Sequence, residues 1–224
     1  SVAPSQIAST GYSTLTGATI ADGARLTVNQ DQVLSLAGSG LVNDGTLWVN
    51  HTGGWNAFLH VLNDLAVTGD GDIYLNGDDL GDYIYSESGA TLTQQAGHTI
   101  HGCGAIRLPF VNHGLVSADK PAESLYLSHS PKTNDALMRA TAGGTLESGI
   151  WQRPTGVYLA SFSDVAWTGA TTPSDVGTAA STCGNFTSGS GSGTFGRGPL
   201  VDGTWWNAAS GLCSQAHHVY CLQE

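Results

Sequence analysis

Residues able to do chemistry crowd two stretches of this chain. The first, GDGDIYLNGDDLGD, sets Asp70, Asp72, Asp78, Asp79 and Asp82 among glycines. Carboxylates on pliant backbone suit a hard cation such as calcium, which needs oxygen ligands on chain free to wrap around it. The spacing lacks the closing Glu of an EF-hand loop. The same acids could serve a polysaccharide-cleaving enzyme. Inverting hydrolysis needs one protonated carboxyl and one base with water between them, and Asp78 with Asp79 or Asp82 would supply the pair. The plainest alternative is a solvated turn cluster that discourages edge pairing.

The second stretch, WWNAASGLCSQAHHVYC, runs from Trp205 to Cys221. Its adjacent His217 and His218 point to opposite faces of a strand, so they cannot hold one metal between them. His98 and His101 of HTIH fail for the same reason, and His51, His60, His113 and His129 show no ligand spacing. No C-x-x-C spacing is present for zinc. A serine elbow and a phosphate-cradling loop are also lacking from the sequence. Arg25, Arg107, Arg139, Arg153, Arg197, Lys120 and Lys132 are scattered, without the clustered cations that a site cleaving acidic polysaccharide would carry.

The 224 residues can bury a full core in one large or two small domains. Lys and Arg number 7 against 18 Asp and Glu, a net charge of -11 that repels phosphate backbones and anionic lipid heads. Nucleic-acid binding and a membrane span are therefore not expected, and the longest apolar runs are too short for a bilayer. Scarce lysine with abundant Thr, Ser, Gly and Asn suggests a secreted or surface-displayed chain. The start SVAPSQIAST is compatible with a terminus left by leader cleavage. Four Cys agree with an oxidising compartment.

Between about Arg25 and Gly149, short alternating runs such as RLTVNQ, TLWVN, DIYLNG, AIRL and SLYLS are punctuated by Gly, Asn or Asp. These are strands, and no helix-period segment with good caps accompanies them. The corners GSG (Gly38–Gly40), GDG (Gly69–Gly71) and GCG (Gly102–Gly104) return at intervals near thirty residues, with NDG, NHG and AGG preceding other runs. Recurring corners predict a solenoid, with a β-sandwich as the alternative. After Gly149 the texture changes to irregular, aromatic-rich chain, including the low-complexity SGSGSGTFGRGP. Two domains are expected, 1–149 and 150–224.

Stretches such as GHTIHGCGAIRLPFVNHGLVSAD and NDALMRATAGGTLES resemble the right-handed parallel β-helix repeats of bacterial surface adhesins. The later order AWTG, TCGNFTS, GTWWNAASGLC and HHVYCLQE resembles the second half of C-type-lectin-like domains, and TCGNFTS in particular their bacterial endostatin-like members. These resemblances imply a mainly β chain, with a right-handed parallel β-helix followed by a small disulfide-stapled cap or lectin-like subdomain. They also imply that Cys183 pairs with Cys213 and Cys221 with Cys103. From the residues alone four Cys allow three connectivities, and a free Cys103 buried in a coil would leave Cys221 unpaired. Ala208 stands where a calcium-dependent sugar site wants Asp, which weakens that activity.

The expectation for function is a non-catalytic, extracellular bacterial surface protein, adhesin-like or ligand-binding. A glycan or extracellular protein would meet exposed aromatics among Trp55, Trp151, Trp205 and Trp206. Each of those tryptophans could equally be core. The rivals are the polysaccharide enzyme and a calcium- or His-bound transition-metal protein.

Overall fold

A computed structural model describes residues 6–51, 53, 56–77, 81–148, 165–170, 177–197, 207–215 and 218–219. The chain divides into two compact units, Ser1–Glu147 and Ser148–Glu224. The fold is mainly β, and the first unit is a parallel β-solenoid.

Each full coil contributes strand to three faces. The first coil comprises β1 (Gln6–Ala8), β2 (Tyr12–Thr16) and β3 (Thr19–Ile20). The second is β4 (Arg25–Asn29), β5 (Val33–Ala37) and β6 (Gly40–Asn43), and the third β7 (Thr46–Asn50), β8 (Ala57–Val61) and β9 (Leu65–Thr68). The fourth holds β10 (Asp72–Asn76), β11 (Asp82–Tyr85) and β12 (Leu92–Gln94). In the fifth, β13 (Thr99–Ile106) serves two faces before β14 (Phe110–Asn112). The sixth is β15 (Leu115–Ala118), β16 (Ser124–Leu127) and β17 (Lys132–Asn134), followed by β18 (Leu137–Ala140) and β19 (Thr145–Ser148). Like strands of successive coils pair in parallel, which makes three faces. Face A stacks β1, β4, β7, β10, the start of β13, β15 and β18. Face B stacks β2, β5, β8, β11, the end of β13, β16 and β19, and face C stacks β3, β6, β9, β12, β14 and β17.

Why these residues wind this way is clearest inside. Alternation sends every second side chain inward, and register sets each inward residue on its counterpart one coil away. Leu26, Leu47, Ile73, Ile100, Val116 and Met138 form one such column, and Leu34, Leu59, Ile84, Ile106 and Leu127 another. Leu47, Ile73 and Ile100 are wholly buried.

The corners differ from the simple interval read in the sequence. One coil takes between sixteen residues (Thr99 to Leu115) and twenty-seven (Asp72 to Thr99). GSG, GDG and GCG are three different corners: the first lies between faces B and C, the second between C and A. GCG is no turn at all but a bend inside β13 from face A to face B. Gly102 and Gly104 make that bend with φ of +102° and +128°, and a Cβ on either would run into the carbonyl of Leu75 or Asp82.

The corner between faces C and A is lined on the inside by polar side chains. Asn43, Gln94, His98 and Asn112 are all fully buried. Asn43 Nδ2 donates to the Asp72 carbonyl (2.9 Å) and lies 3.0 Å from His98 Nε2. Gln94 Nε2 donates to the carbonyls of His98 (2.6 Å) and Leu115 (2.9 Å). Asn112 Oδ1 accepts from the Gly114 N–H (3.0 Å), and its Nδ2 donates to Asn134 Oδ1 (2.7 Å). Here the strand ladder is interrupted, so side chains supply partners that backbone carbonyls and N–H groups would otherwise lose. Burial holds the His98 pKa down to about 4, offset in small part by Asp72.

Among the described residues, the second unit holds a four-stranded sheet in the order β22 (Ala209–Leu212), β21 (Ser192–Arg197), β20 (Val165–Trp167), β23 (His218–Val219). The first two pairings are antiparallel and the last parallel. Trp167 is buried against Phe195, ring centroids 6.2 Å apart. Cys183, in the short turn α1 (Cys183–Phe186), is joined by a disulfide to Cys213 with Cα atoms 5.5 Å apart.

Two outcomes follow from this architecture. Ile73→Ala should cost about 2–5 kcal/mol in urea unfolding, because the column cannot collapse onto the gap. His98 must stay neutral in the fold, so stability is full above pH 6.5 and falls as pH drops toward 4, by about 3 kcal/mol. His98→Gln should flatten that acid limb, and an unchanged limb would refute the assignment.

Candidate ligand-binding face

The outward residues of face A form a column of their own. Thr27, Trp48, Tyr74, His101, Ser117 and Arg139 occupy one register position through six coils. The Arg25 guanidinium lies 3.9 Å from the centre of the Trp48 ring. Trp48 and Tyr74 centroids are 5.7 Å apart with a 35° tilt, and Tyr74 and His101 stack at 4.6 Å and 12°. Such contacts each contribute about 0.5–1.5 kcal/mol beyond burial.

Two carboxylates hold His101 through its two ring nitrogens. Nε2 lies 3.5 Å from Asp72 Oδ2 and Nδ1 lies 3.0 Å from Asp119 Oδ2. Burial alone would lower its pKa, but hydrogen bonding and charge from these two carboxylates together outweigh it, and the net shift is upward. The imidazolium is the form that can donate to both acids at once. On the other side of His101, the next rung is Ser117, and the one after it is Arg139 with Nε 3.5 Å from Ser117 Oγ. The short serine leaves a cleft of about 320 Å³, walled by Asp70, Asp72, His101, Ser117, Asp119 and Arg139.

Face B carries a second aromatic patch. Phe58 and Tyr83 are in register with centroids 5.3 Å apart, and His60 stacks on Tyr85 at 4.5 Å and 7°. The Arg107 guanidinium lies 3.5 Å from the centre of the Tyr83 ring, and Asn56 Nδ2 donates to Tyr83 Oη (2.9 Å).

The acidic stretch singled out in the sequence is split by β10. Asp70 and Asp72 reach the face A cleft, whereas Asp82 opens β11 and is fully buried. Asp82 therefore neither lines a surface groove for hydrolysis nor joins the other two around an ion. Asp78 and Asp79 lie outside the described residues, as do Trp55, Trp151, Trp205, Trp206, His217 and Cys221. Among the described residues, no three His, Cys, Asp or Glu side chains are placed to hold a metal. The implied Cys103–Cys221 bridge is corrected. Cys103 is a free, buried thiol that donates to the Gly77 carbonyl, because its position in β13 turns it into the corner. Lys120 Nζ donates to that same carbonyl.

Beside this corner, burial raises the Asp82 pKa to about 7, with His51 the largest opposing influence. Asn76 and Gly77 backbone N–H groups face the carboxylate without closing hydrogen bonds of normal geometry.

Sequence reading missed the outward columns. Their signal was present: Trp48, Tyr74 and His101 each stand third in a run, in TLWVN, DIYLN and TIHGC. Seeing it required the register between coils of unequal length. Comparison with protein-family models, with curated proteins and with solved structures finds no significant match for this chain.

Asp82 must keep its proton in the fold, so its contribution worsens as pH rises from about 4 through 7. The stability difference of Asp82→Asn over the parent should grow by up to about 4 kcal/mol between pH 4 and pH 8, measured by urea titration. For His101, an NMR titration should give a pKa above the ordinary histidine value in the parent and a lower one in Asp119→Asn.

Proposed function

We propose that this chain is a non-catalytic, extracellular bacterial surface protein, adhesin-like, whose solenoid binds a glycan. The observation that carries the reading is the face A column, where stacked rings end at a cleft bordered by carboxylates and an arginine. Sugars pair C–H faces with aromatic surface and hydroxyls with carboxylate and guanidinium groups, and this surface offers both. The Cys183–Cys213 bridge and the near absence of lysine support an oxidising, extracellular setting. The lectin-like order of motifs in 150–224 supports carbohydrate recognition more weakly. An extracellular protein partner is the alternative ligand.

The rival is a polysaccharide-cleaving enzyme, with Asp72 and Asp119 in place of the pair expected from the sequence. Both acids are engaged by His101, which favours holding over proton transfer.

Parent and Trp48→Ala/Tyr74→Ala chains should be compared on a glycan and matrix-protein array, with product analysis on the same glycans. Glycan hits that fall at least tenfold in the double variant, without cleavage, are expected. Silence across the array, or released products, would defeat the reading.

A further inference from the structure

We propose that the face A cleft is a slot for one uncharged pyranose ring, seated over Ser117 between the imidazole of His101 and the side chain of Arg139. This deepens the glycan reading above and rests on it.

Neighbouring parallel strands lie about 4.8 Å apart, and the Tyr74–His101 stack at 4.6 Å shows that one rung holds one ring. Arg139 is two rungs beyond His101, with only a hydroxymethyl group between them. Arg139 leans across the serine rung, with Nε 3.5 Å from Ser117 Oγ, and forms the far wall of the space above it. Tyr74 covers one face of His101, which leaves the opposite face toward Ser117 to meet the ligand.

The walls then choose the ring. Both imidazole nitrogens are paired with carboxylates, so the ring face turned to the slot offers no hydrogen-bond donor. It suits the C–H face of a sugar. Asp72 Oδ1 already accepts from Thr46 Oγ1 (3.1 Å), and each carboxylate oxygen has two acceptor positions, so Asp72 and Asp119 keep capacity for hydroxyl donors. Arg139 supplies donors for hydroxyl or ring oxygens on the far side. A vicinal diol satisfies such an arrangement, whereas a plain aromatic ring leaves the acceptors unused. A uronic acid would set its carboxylate among Asp70, Asp72 and Asp119, so acidic sugars are disfavoured.

The test follows the His101 ring resonances of the full chain by NMR while methyl hexopyranosides and the matching uronates are added. Ser117→Tyr extends the stack through the slot, and Asp119→Asn removes an acceptor without filling it. Neutral pyranosides should shift the His101 signals, uronates should bind at least tenfold more weakly, and both variants should lose at least tenfold in affinity. Asp119→Asn keeps the test decisive should Ser117→Tyr fail to fold. Array binding by the parent with no His101 response, or equal binding by folded variants, would overturn the slot and leave the glycan reading standing. A parent silent toward every glycan would overturn both.

Discussion

In-register parallel stacking is the constraint from which the rest of this molecule follows. Once β7 pairs with β10 and β10 with β13, every residue has a fixed neighbour one strand spacing away on each side. Identical demands are then placed on a whole column at once. Inside, the demand is met by aliphatic side chains of similar size; on face A it is met by flat ones that stack. A column fails where one member has the wrong shape, and that failure is informative. Ser117 breaks a run of rings, and the break is the cleft.

The interior also carries polar groups whose protonation the stacking imposes. His98 sits where coils turn and backbone partners run out, and it is kept neutral by burial. Asp82 sits at the next corner and is kept protonated toward neutral pH for the same reason. The two respond to pH in opposite directions, so the solenoid trades one cost against the other across the mildly acidic range. His101, on the outside, is the contrasting case. Two carboxylates favour its charged form, and the same clamp fixes the ring flat on Tyr74.

Much of the architecture was legible from residues alone. Alternation in TLWVN and DIYLNG announced strands, and glycine corners announced coiling, because both depend on local backbone preference. The Cys183–Cys213 pairing was implied by resemblance and is present. What could not be read was anything set by register. GCG looked like a turn because two glycines usually mark one, yet it bends a continuous strand. Asp82 looked like a partner for Asp70 and Asp72, but one strand of separation carries it from the surface to the core. The alignment of Trp48, Tyr74 and His101 depends on loops of unequal length between them, which no fixed repeat interval reveals.

The central claim is the parallel register that brings distant rings together, and nuclear Overhauser contacts test it most directly. Ring protons of Tyr74 should show cross-peaks to both Trp48 and His101, residues some twenty-six positions away on either side. Cross-peaks that instead join β10 to its neighbours in antiparallel order, or none between these rings in folded protein, would contradict the account.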